Sequence, residues 1–540
     1  MFKEDEMKLF LAPEFYDDDL RMKIENHAAI SGNIDRGQKA LLNASLLRSS
    51  VLKIETLISK FVEADEEELN LPSLNYYRHW QTNQIDHFIS VDSGDWILLT
   101  TEEYEALVQY RIPPELAKKL EKNFILLTQN NITSYINKLR LKYGFLQEGP
   151  TLHIVVVTSN CNLKCVYCQA SAPTSLKKDM DLAMAEHAVN RILESPSDSY
   201  IIEFQGGEPL LNFKTVKYII DYSESLAKSR GKRIEYSLIS NFTRSVTEEK
   251  LKYLITHNVS ICFSLDGPAD LHEANRGNGY PDAFIILLDN LKLYKKTWAS
   301  LRNETAPLAA LLTTTRSSLT EYKSIIDLYL ELGFRKINLR PLTPLGSAID
   351  NFHQISYTAE EFFQYWRQAI EYIVDLRIQR VDIVDFYLEL MLTKLFGNES
   401  GFMDLRSPCG ASYGQITYNY DGRIFSCDEG RMIKTDNFMI GRACGENLNN
   451  ILLSPQAIVI ANYSITEQYY CDYCAFKPFC GICPVLHNQQ KGRMHMNVLE
   501  SDHCKIMQYM YSYILEKYIY ESKFRNVFNE ILLNINWQKL

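Results

Sequence analysis

The chain has no cysteine before Cys161 and no basic excess: 57 Lys and Arg stand against 67 Asp and Glu, a formal charge of −10. Proteins that bind a phosphate backbone usually carry the opposite sign, so this balance argues against a nucleic-acid partner. No apolar run approaches the ~18 residues of a membrane span. The most apolar short stretch, Ile154 to Val157, has the length of a strand. Met1 to Phe10 carries Lys3, Glu4, Asp5, Glu6 and Lys8 where a secretory signal would be apolar. There is no fixed-period repeat and no low-complexity tract. Together these absences predict a cytoplasmic chain that spans no membrane.

What the chain has is length, and cysteine unevenly placed. Its 540 residues leave room for three or four domain-sized units. Hydrophobic residues make up 46% and charged residues 23%, a globular composition. The 12 cysteines fall as one tight group (Cys161, Cys165, Cys168), one isolated residue (Cys262) and one broad group from Cys409 to Cys504. Disulfides do not persist in a reducing compartment, so grouped thiols there point to metal or iron–sulfur ligands.

Hydrophobic periodicity divides the chain. Residues 1–84 read as mostly helical, with Leu47, Val51, Ile54 and Leu57 at helical spacing and a solvated acidic run from Asp65 to Glu68. Residues 85–149 read as a small α+β module. Its strands, Phe88 to Val91 and Trp96 to Leu99, flank the turn Asp92-Ser-Gly-Asp95. A helix capped by Thr100, with Glu103 at the capping-box position, follows, and another begins after Pro113-Pro114. A hairpin plus helices has the general shape of a peptide-recognition module; a structural cap on the next domain explains it equally well.

From 150 to 345, strands and helices alternate six times. The strands are expected at Leu152 to Val157, Tyr200 to Phe204, Ile234 to Ile239, Val259 to Leu265, Leu308 to Thr313 and Lys336 to Arg340. Repeated β-then-α units imply a parallel sheet with right-handed crossovers, here a partial (β/α)6 barrel in an α/β protein. Residues 346–404 are expected as a helical connector, 405–505 as a small cysteine-rich domain, and 506–540 as an amphipathic C-terminal helix.

The spacing Cys161-x3-Cys165-x2-Cys168 falls on the loop after the first strand, where a barrel of this kind keeps its chemistry. Three thiolates can hold three irons of a [4Fe–4S] cluster and leave the fourth open. A structural zinc site wants four ligands; a chance grouping is the other alternative. After the second strand, Gln205-Gly206-Gly207-Glu208-Pro209 offers glycines for close backbone approach to a ligand and a carboxylate able to receive an ammonium. Asn241 ends the third strand, Ser264 lies near the end of the fourth, and Arg276 follows Asp266-Gly267. Singly these read as a cap, a turn or a surface residue; together they set polar groups on one rim.

This stretch resembles the radical S-adenosylmethionine (SAM) superfamily. The resemblance implies SAM chelated to the open iron and a 5′-deoxyadenosyl radical that abstracts hydrogen from the substrate. It implies that Gly206, Gly207 and Glu208 bind the methionyl amine, that Asn241, Ser264 and Arg276 contact the ribose or carboxylate, and that Tyr167 lies near the adenine.

The second cysteine group runs Cys409, Cys427, Cys444, Cys471-x2-Cys474-x5-Cys480-x2-Cys483 and Cys504. Seven or eight thiolates suffice for about two further [4Fe–4S] clusters; a zinc ribbon is the rival for the C-x2-C pairs. The pattern resembles the SPASM domain, although two residues, Gly481 and Ile482, stand where that family usually has three. The resemblance implies Cys471, Cys474, Cys480 and Cys504 on a distal auxiliary cluster, and Cys409, Cys427 and Cys483 on a proximal one. The fourth proximal position is then open or filled by Cys444, which reads equally as an inert thiol. Cys262, inside the fourth strand, reads as core. In sulfatase-maturating relatives an aspartate placed like Asp428 is proposed to take a proton from the substrate. Glu429 competes for that role, and a turn or salt-bridge residue explains Asp428 as well.

Several phrases, among them Phe204-Gln-Gly-Gly-Glu-Pro-Leu-Leu211, Ser264-Leu-Asp-Gly-Pro268 and Tyr418-Asn-Tyr-Asp-Gly422, are similar to radical SAM maturases of the His-Xaa-Ser peptide system. That similarity implies a ribosomally made precursor peptide as partner and an intramolecular cross-link as product. It also implies an external electron donor such as flavodoxin or ferredoxin. The alternative enzyme is a sulfatase-type maturase that oxidises Cys or Ser to formylglycine. The alternative of another class is a non-catalytic peptide-binding or electron-transfer protein, which the intact three cysteines and Gly206-Gly207-Glu208 disfavour.

Overall fold

Along one central strand, Tyr200, Ile202 and Phe204 are buried while Ile201, Glu203 and Gln205 between them are not. A strand turns successive side chains to opposite faces, so one face of this sheet is apolar and the other is not. The pattern repeats on the next two strands: Tyr236 and Leu238 alternate with Ser237, and Ile261 and Phe263 alternate with Ser260 and Cys262. The computed structural model that shows this describes residues 72–81, 86–170, 178–277, 280–397, 405–465 and 469–538. The stripe from Leu47 to Leu57 and the acidic run from Asp65 to Glu68 lie outside the described residues.

A three-stranded antiparallel sheet comes first, formed by β1 (Tyr77–Gln81), β2 (His87–Val91) and β3 (Trp96–Leu99). The barrel wall follows: β4 (Leu152–Thr158), β5 (Ser199–Gly206), β6 (Arg233–Ser240), β7 (Val259–Ser264), β8 (Ala309–Thr313) and the short pieces β9 (Lys336–Ile337) and β10 (Leu339–Arg340). These pair in parallel in chain order. Because every step goes the same way with the same hand, the crossover helices stack on one face. They are Leu182–Ile192, Phe213–Arg230, Glu248–Thr256, Ala283–Arg302 and Tyr322–Glu331. Local chemistry sets their ends. Asp181 caps the first by accepting from the Met184 N–H, and Gly231, at φ 67°, ends the second in a left-handed turn that a side chain would oppose. Their inward residues, such as Val216, Ile220, Leu251 and Leu254, cover the apolar face of the sheet. Each fully buried aliphatic contributes about 1.5–3 kcal/mol.

The six barrel strands do not close on one another. The β11 strand (Val384–Asp385) pairs with β9 at one edge, and β12 (Gln415–Tyr418) pairs in parallel with β4 at the other. From β12 the sheet continues antiparallel through β13 (Arg423–Phe425) and β14 (Met439–Arg442), giving eleven strands in all. The cysteine-rich segment is thus hydrogen-bonded directly onto the first barrel strand.

Three expectations need correction. A boundary at 85 cuts through the N-terminal sheet, because β1 pairs with β2 across it; the mostly helical reading of 1–84 falls largely outside the described residues. The C-terminal segment is two helices, Asp502–Tyr520 and Ser522–Gln538, because Glu521 is extended (φ −120°, ψ 106°). Cys262 is half-buried on the non-apolar face of β7, between Ile261 and Phe263, which turn under the helices. Among the described residues no helix is long and apolar enough to cross a membrane.

The N-terminal module docks by defined contacts. Ser90 Oγ donates to the Ala475 carbonyl at 2.7 Å, Trp96 Nε1 donates to the Leu395 carbonyl at 2.6 Å, and Phe88 packs on Phe476 and Phe479. The capping box of Thr100 and Glu103 is formed as expected.

Candidate functional site

The loop after β4 carries Cys161, Cys165 and Cys168, and backbone contacts hold it from three sides. At the end of β5, Gly207 N–H donates to the Thr158 carbonyl at 2.9 Å and Glu208 N–H to the Asn160 carbonyl at 2.8 Å. A Cβ on Gly206 would sit on the Thr158 carbonyl, and one on Gly207 on the Asn160 carbonyl. These glycines therefore serve a close splice between two strand ends, which fixes where the cysteine loop begins. From the opposite side, Ser347 N–H and Oγ both donate to the Cys168 carbonyl at 2.9 Å. Gly346, at φ 59°, leaves room for the Gln169 carbonyl where a Cβ would clash. From a third direction, Val166 N–H donates to the Asn275 carbonyl at 2.9 Å.

Glu208 is fully buried. Its carboxylate accepts from Leu210 N–H (3.0 Å), Asn241 N–H (2.8 Å) and Ser240 Oγ (2.9 Å), tying the end of β5 to the end of β6. Burial raises its pKa to about 7. Asn241 in turn donates through Nδ2 to Asn162 Oδ1 at 2.8 Å and to Cys161 Sγ at 3.7 Å. Glu208 and Asn241 thus converge on the cysteine loop.

Tyr167 and Arg276 meet beyond the ends of β4 and β7, around a residue the sequence reading gave no role. Tyr167 OH donates to Asp266 Oδ2 at 2.5 Å, and Arg276 Nη2 lies 3.1 Å from Asp266 Oδ1. The guanidinium stands 5.3 Å from the centre of the Tyr167 ring. All three are buried, as is Ser264, two residues before Asp266. Asp266 had read only as part of a turn, and its pairing with Tyr167 joins positions far apart in the chain.

The three thiols act on one another electrostatically, and burial pushes Cys161 up to about 12 and Cys165 still higher. Thiolates are the ligand form. A buried thiol group of this kind needs a bound cation to hold it deprotonated, so the donor set fits an iron–sulfur cluster.

The remaining cysteines gather into two further groups. Cys471, Cys474, Cys480 and Cys504 act on one another and, together with Cys409, line a cavity of about 70 Å³. Cys409, Cys427 and Cys483 form the second group. Burial is the main cause of the raised pKa of Cys427, Cys471, Cys474, Cys480, Cys483 and Cys504, with Cys471 at about 12 and Cys504 at about 11. Tyr463, buried and sharing a hydrogen bond of 2.6 Å with His487 Nδ1, is acted on by thiols of both groups. Cys444 is exposed in the turn after β14 and is not among the thiols that act on Cys427 or Cys483.

Cys427 is the cap of a one-turn helix, Asp428–Arg431, that reaches to the barrel. Asp428 Oδ1 accepts from Arg431 Nε at 2.7 Å, with both side chains largely buried. Arg431 Nη2 also reaches Gln205 Oε1 at 3.4 Å, and Gln205 Nε2 donates to Glu203 Oε1 at 2.6 Å. Glu429 faces Arg340 of β10 at 3.6 Å. Met432 accepts from Gly346 N–H at 3.1 Å. The turn thus touches β5, β10 and the loop that braces Cys168. Sequence reasoning missed Gly346, Arg431 and Arg340, because their partners are distant in the chain and no local pattern marks them.

Residues 155–301 match the Radical SAM superfamily. An uncharacterised protein of Methanocaldococcus jannaschii is 30% identical over 203 residues, 36% of this chain; the chain spans 64% of that protein's length. The radical SAM cyclopropyl synthase of Paramaledivibacter caminithermalis is 23% identical over 455 residues, covering 79% of this chain and 89% of that protein. A cysteine-type anaerobic sulfatase-maturating enzyme of Clostridium novyi is 21% identical, covering 60% of this chain and 84% of its own. The structure of native anSMEcpe with bound AdoMet superposes with a TM-score of 0.59 at 18% identity, covering 70% of this chain and all of that one. Residues 155–301, which hold the cysteine loop at the rim of the parallel barrel, are thus similar to the Radical SAM superfamily, whose members use S-adenosylmethionine and a [4Fe–4S] cluster.

Proposed function

We propose that the chain is a peptide maturase that modifies a ribosomally synthesised precursor peptide and forms an intramolecular cross-link at an unactivated carbon. The observation that carries this reading is the C-terminal cysteine-rich segment: its two thiol groups lie beyond the barrel, and the Asp428–Arg431 turn joins them to the barrel strands. When bound, SAM and its cluster supply a radical that takes a hydrogen atom from the substrate. Cys161, Cys165 and Cys168 would hold that cluster, while Glu208 and Asn241 keep the rim around it in shape. Gly206, Gly207, Ser264, Arg276 and Tyr167 are assigned to the SAM side of the rim. Two auxiliary [4Fe–4S] clusters would occupy the two C-terminal groups.

Asp428 is the candidate proton acceptor. Its pairing with Arg431 at 2.7 Å fixes the carboxylate in direction, which suits a base only if the substrate displaces or bypasses the guanidinium. The partners of this reading are the precursor peptide and an electron carrier such as flavodoxin or ferredoxin.

The test is mass spectrometry of a short peptide encoded beside this chain, after co-expression with it. A loss of about two hydrogens confined to one cross-linked fragment is the expected product. An unmodified peptide, together with a Cys or Ser of a sulfatase peptide converted to formylglycine, would replace this reading by the sulfatase-type one. The similarity to the Clostridium novyi enzyme favours that second reading. No 5′-deoxyadenosine from SAM and dithionite, with or without peptide, would remove both.

A further inference from the structure

Cys471, Cys474 and Cys480 stand on one short segment, and that segment is wound in successive turns. Cys474 N–H donates to the Cys471 carbonyl at 3.1 Å and Lys477 N–H to the Cys474 carbonyl at 2.9 Å. The N–H groups of Phe479 and Cys480 donate to the Phe476 carbonyl at 3.0 and 2.9 Å. Lys477 Nζ reaches Asp472 Oδ1 at 2.8 Å. These turns leave out the carbonyls of Asp472, Ala475 and Pro478, which recur at every third residue.

Side chains of the N-terminal module take all three. Tyr76 OH, just before β1, donates to the Asp472 carbonyl at 2.9 Å. Ser90 Oγ of β2 donates to the Ala475 carbonyl at 2.7 Å. Lys142 Nζ, on the helix Ile132–Tyr143, donates to the Pro478 carbonyl at 3.2 Å. Lys142 also donates to the Asp92 carbonyl at 2.5 Å, and the Asp92 carboxylate pairs with the buried Arg78 of β1 at 2.8 Å. The module thus fixes its own lysine. The ring of Phe476 lies 5.2 Å from Trp80 and 5.8 Å from Phe88, both of the module. Next in the chain, the Phe479 carbonyl accepts from Tyr511 OH at 2.8 Å and from Lys394 Nζ at 3.1 Å, both buried. With the backbone held this way, the three thiols line one cavity with Cys504 and Cys409.

Ligands already in place bind more tightly, because the entropy of ordering the chain is then not lost on binding. A buried carbonyl also needs a partner, and here the partners come from a separate module. Resting on the cluster assignment above, we propose that the N-terminal module is an assembly clamp for the auxiliary site of Cys471, Cys474, Cys480 and Cys504. Tyr76, Ser90 and Lys142 are positioning residues that hold the segment's backbone in the form that presents its thiols. The clamp acts on this site and not on the cysteine loop at the barrel rim.

The test uses the full chain, reconstituted with iron and sulfide, with Tyr76→Phe, Ser90→Ala and Lys142→Met made singly and together. Iron release to a chelator is followed with time. About a third of the iron is expected to leave about fivefold faster for each hydrogen bond removed, while 5′-deoxyadenosine formed from SAM and dithionite stays within about twofold of the unsubstituted chain. Thr100→Ala removes a helix cap elsewhere in the module and is expected to leave the release rate in place. In the iron-free chain, amide hydrogen exchange across 471–480 is expected to rise in the triple variant and not in Thr100→Ala. An unchanged release rate in the triple variant overturns the clamp. So does a Thr100→Ala protein that releases iron as fast as Ser90→Ala, since the module then matters only through its own stability. If the triple variant fails to fold, Ser90→Ala decides alone. An unsubstituted chain with only about four irons removes the cluster assignment itself; hydrogen exchange still reads the clamp, and equal exchange overturns it.

Discussion

The two cysteine regions are built by opposite means. Cys161, Cys165 and Cys168 share one loop, positioned by backbone contacts at Thr158, Asn160, Cys168 and Val166 and by glycines that tolerate no side chain. The C-terminal thiols come from segments spread between Cys409 and Cys504. They are held by side chains: aromatic packing of Phe476 and Phe479 on Phe88, and hydrogen bonds from a separate module. The first design is rigid because strand ends define it. The second depends on the packing of parts that are far apart in the chain.

The sharpest way to break this comparison is to remove one region and ask whether the other notices. Cys165→Ala is expected to abolish 5′-deoxyadenosine formation while iron falls only from about twelve to about eight per chain; iron near zero would show the regions to be one unit. Next in size is Asp266→Asn, which leaves Arg276 buried without its carboxylate. A loss of about 3–5 kcal/mol is expected in chemical denaturation, against about 1 kcal/mol for Tyr167→Phe, which removes one hydrogen bond.

Gly207→Ala is expected to cost about 1–3 kcal/mol or more, since the new methyl meets the Asn160 carbonyl. It should cut SAM cleavage further than it cuts iron content. Equal losses of both would mean that the splice merely supports folding. Burial raises the Glu208 carboxyl from 4.5 to about 7, so the folded chain holds that proton more tightly than the unfolded chain does. Stability of the protein without cofactors is therefore fullest below about pH 4.5 with respect to this group, and declines as pH rises through about 7. Glu208→Gln should flatten that decline in thermal unfolding curves. The smallest effect is at the module's dock, where Ser90→Ala removes one hydrogen bond to Ala475 and is expected to cost about 1 kcal/mol.

The sequence showed what local pattern can show. Each expected barrel strand overlaps an observed one, because apolar residues alternate or run together between turn residues. The capping box at Thr100 is set within four residues and was legible for that reason. Strand β12 was not: all four of its residues are buried, so no alternation marks it, and its partner β4 lies far away in the chain. Val384–Asp385 is too short to carry a period at all. The glycines of Gly206-Gly207-Glu208 were legible as a place where backbone comes close to a neighbour, whereas the splice they make to the Thr158 and Asn160 carbonyls had no local signal. Lys394 and Arg78 had no signal, since a lysine or arginine in sequence looks solvated until its burial is known.

The parallel pairing of β12 with β4 bears on how the chain is made. Leu152–Thr158 is the most apolar strand of the barrel, and among the described residues the strand that pairs with its free side is Gln415–Tyr418. Until synthesis passes Tyr418, that edge presents Ile154-Val155-Val156-Val157 with open backbone groups, a template for pairing with other chains. Expression of the barrel without the cysteine-rich segment should therefore yield aggregates, and the C-terminal region doubles as the guard of the first strand.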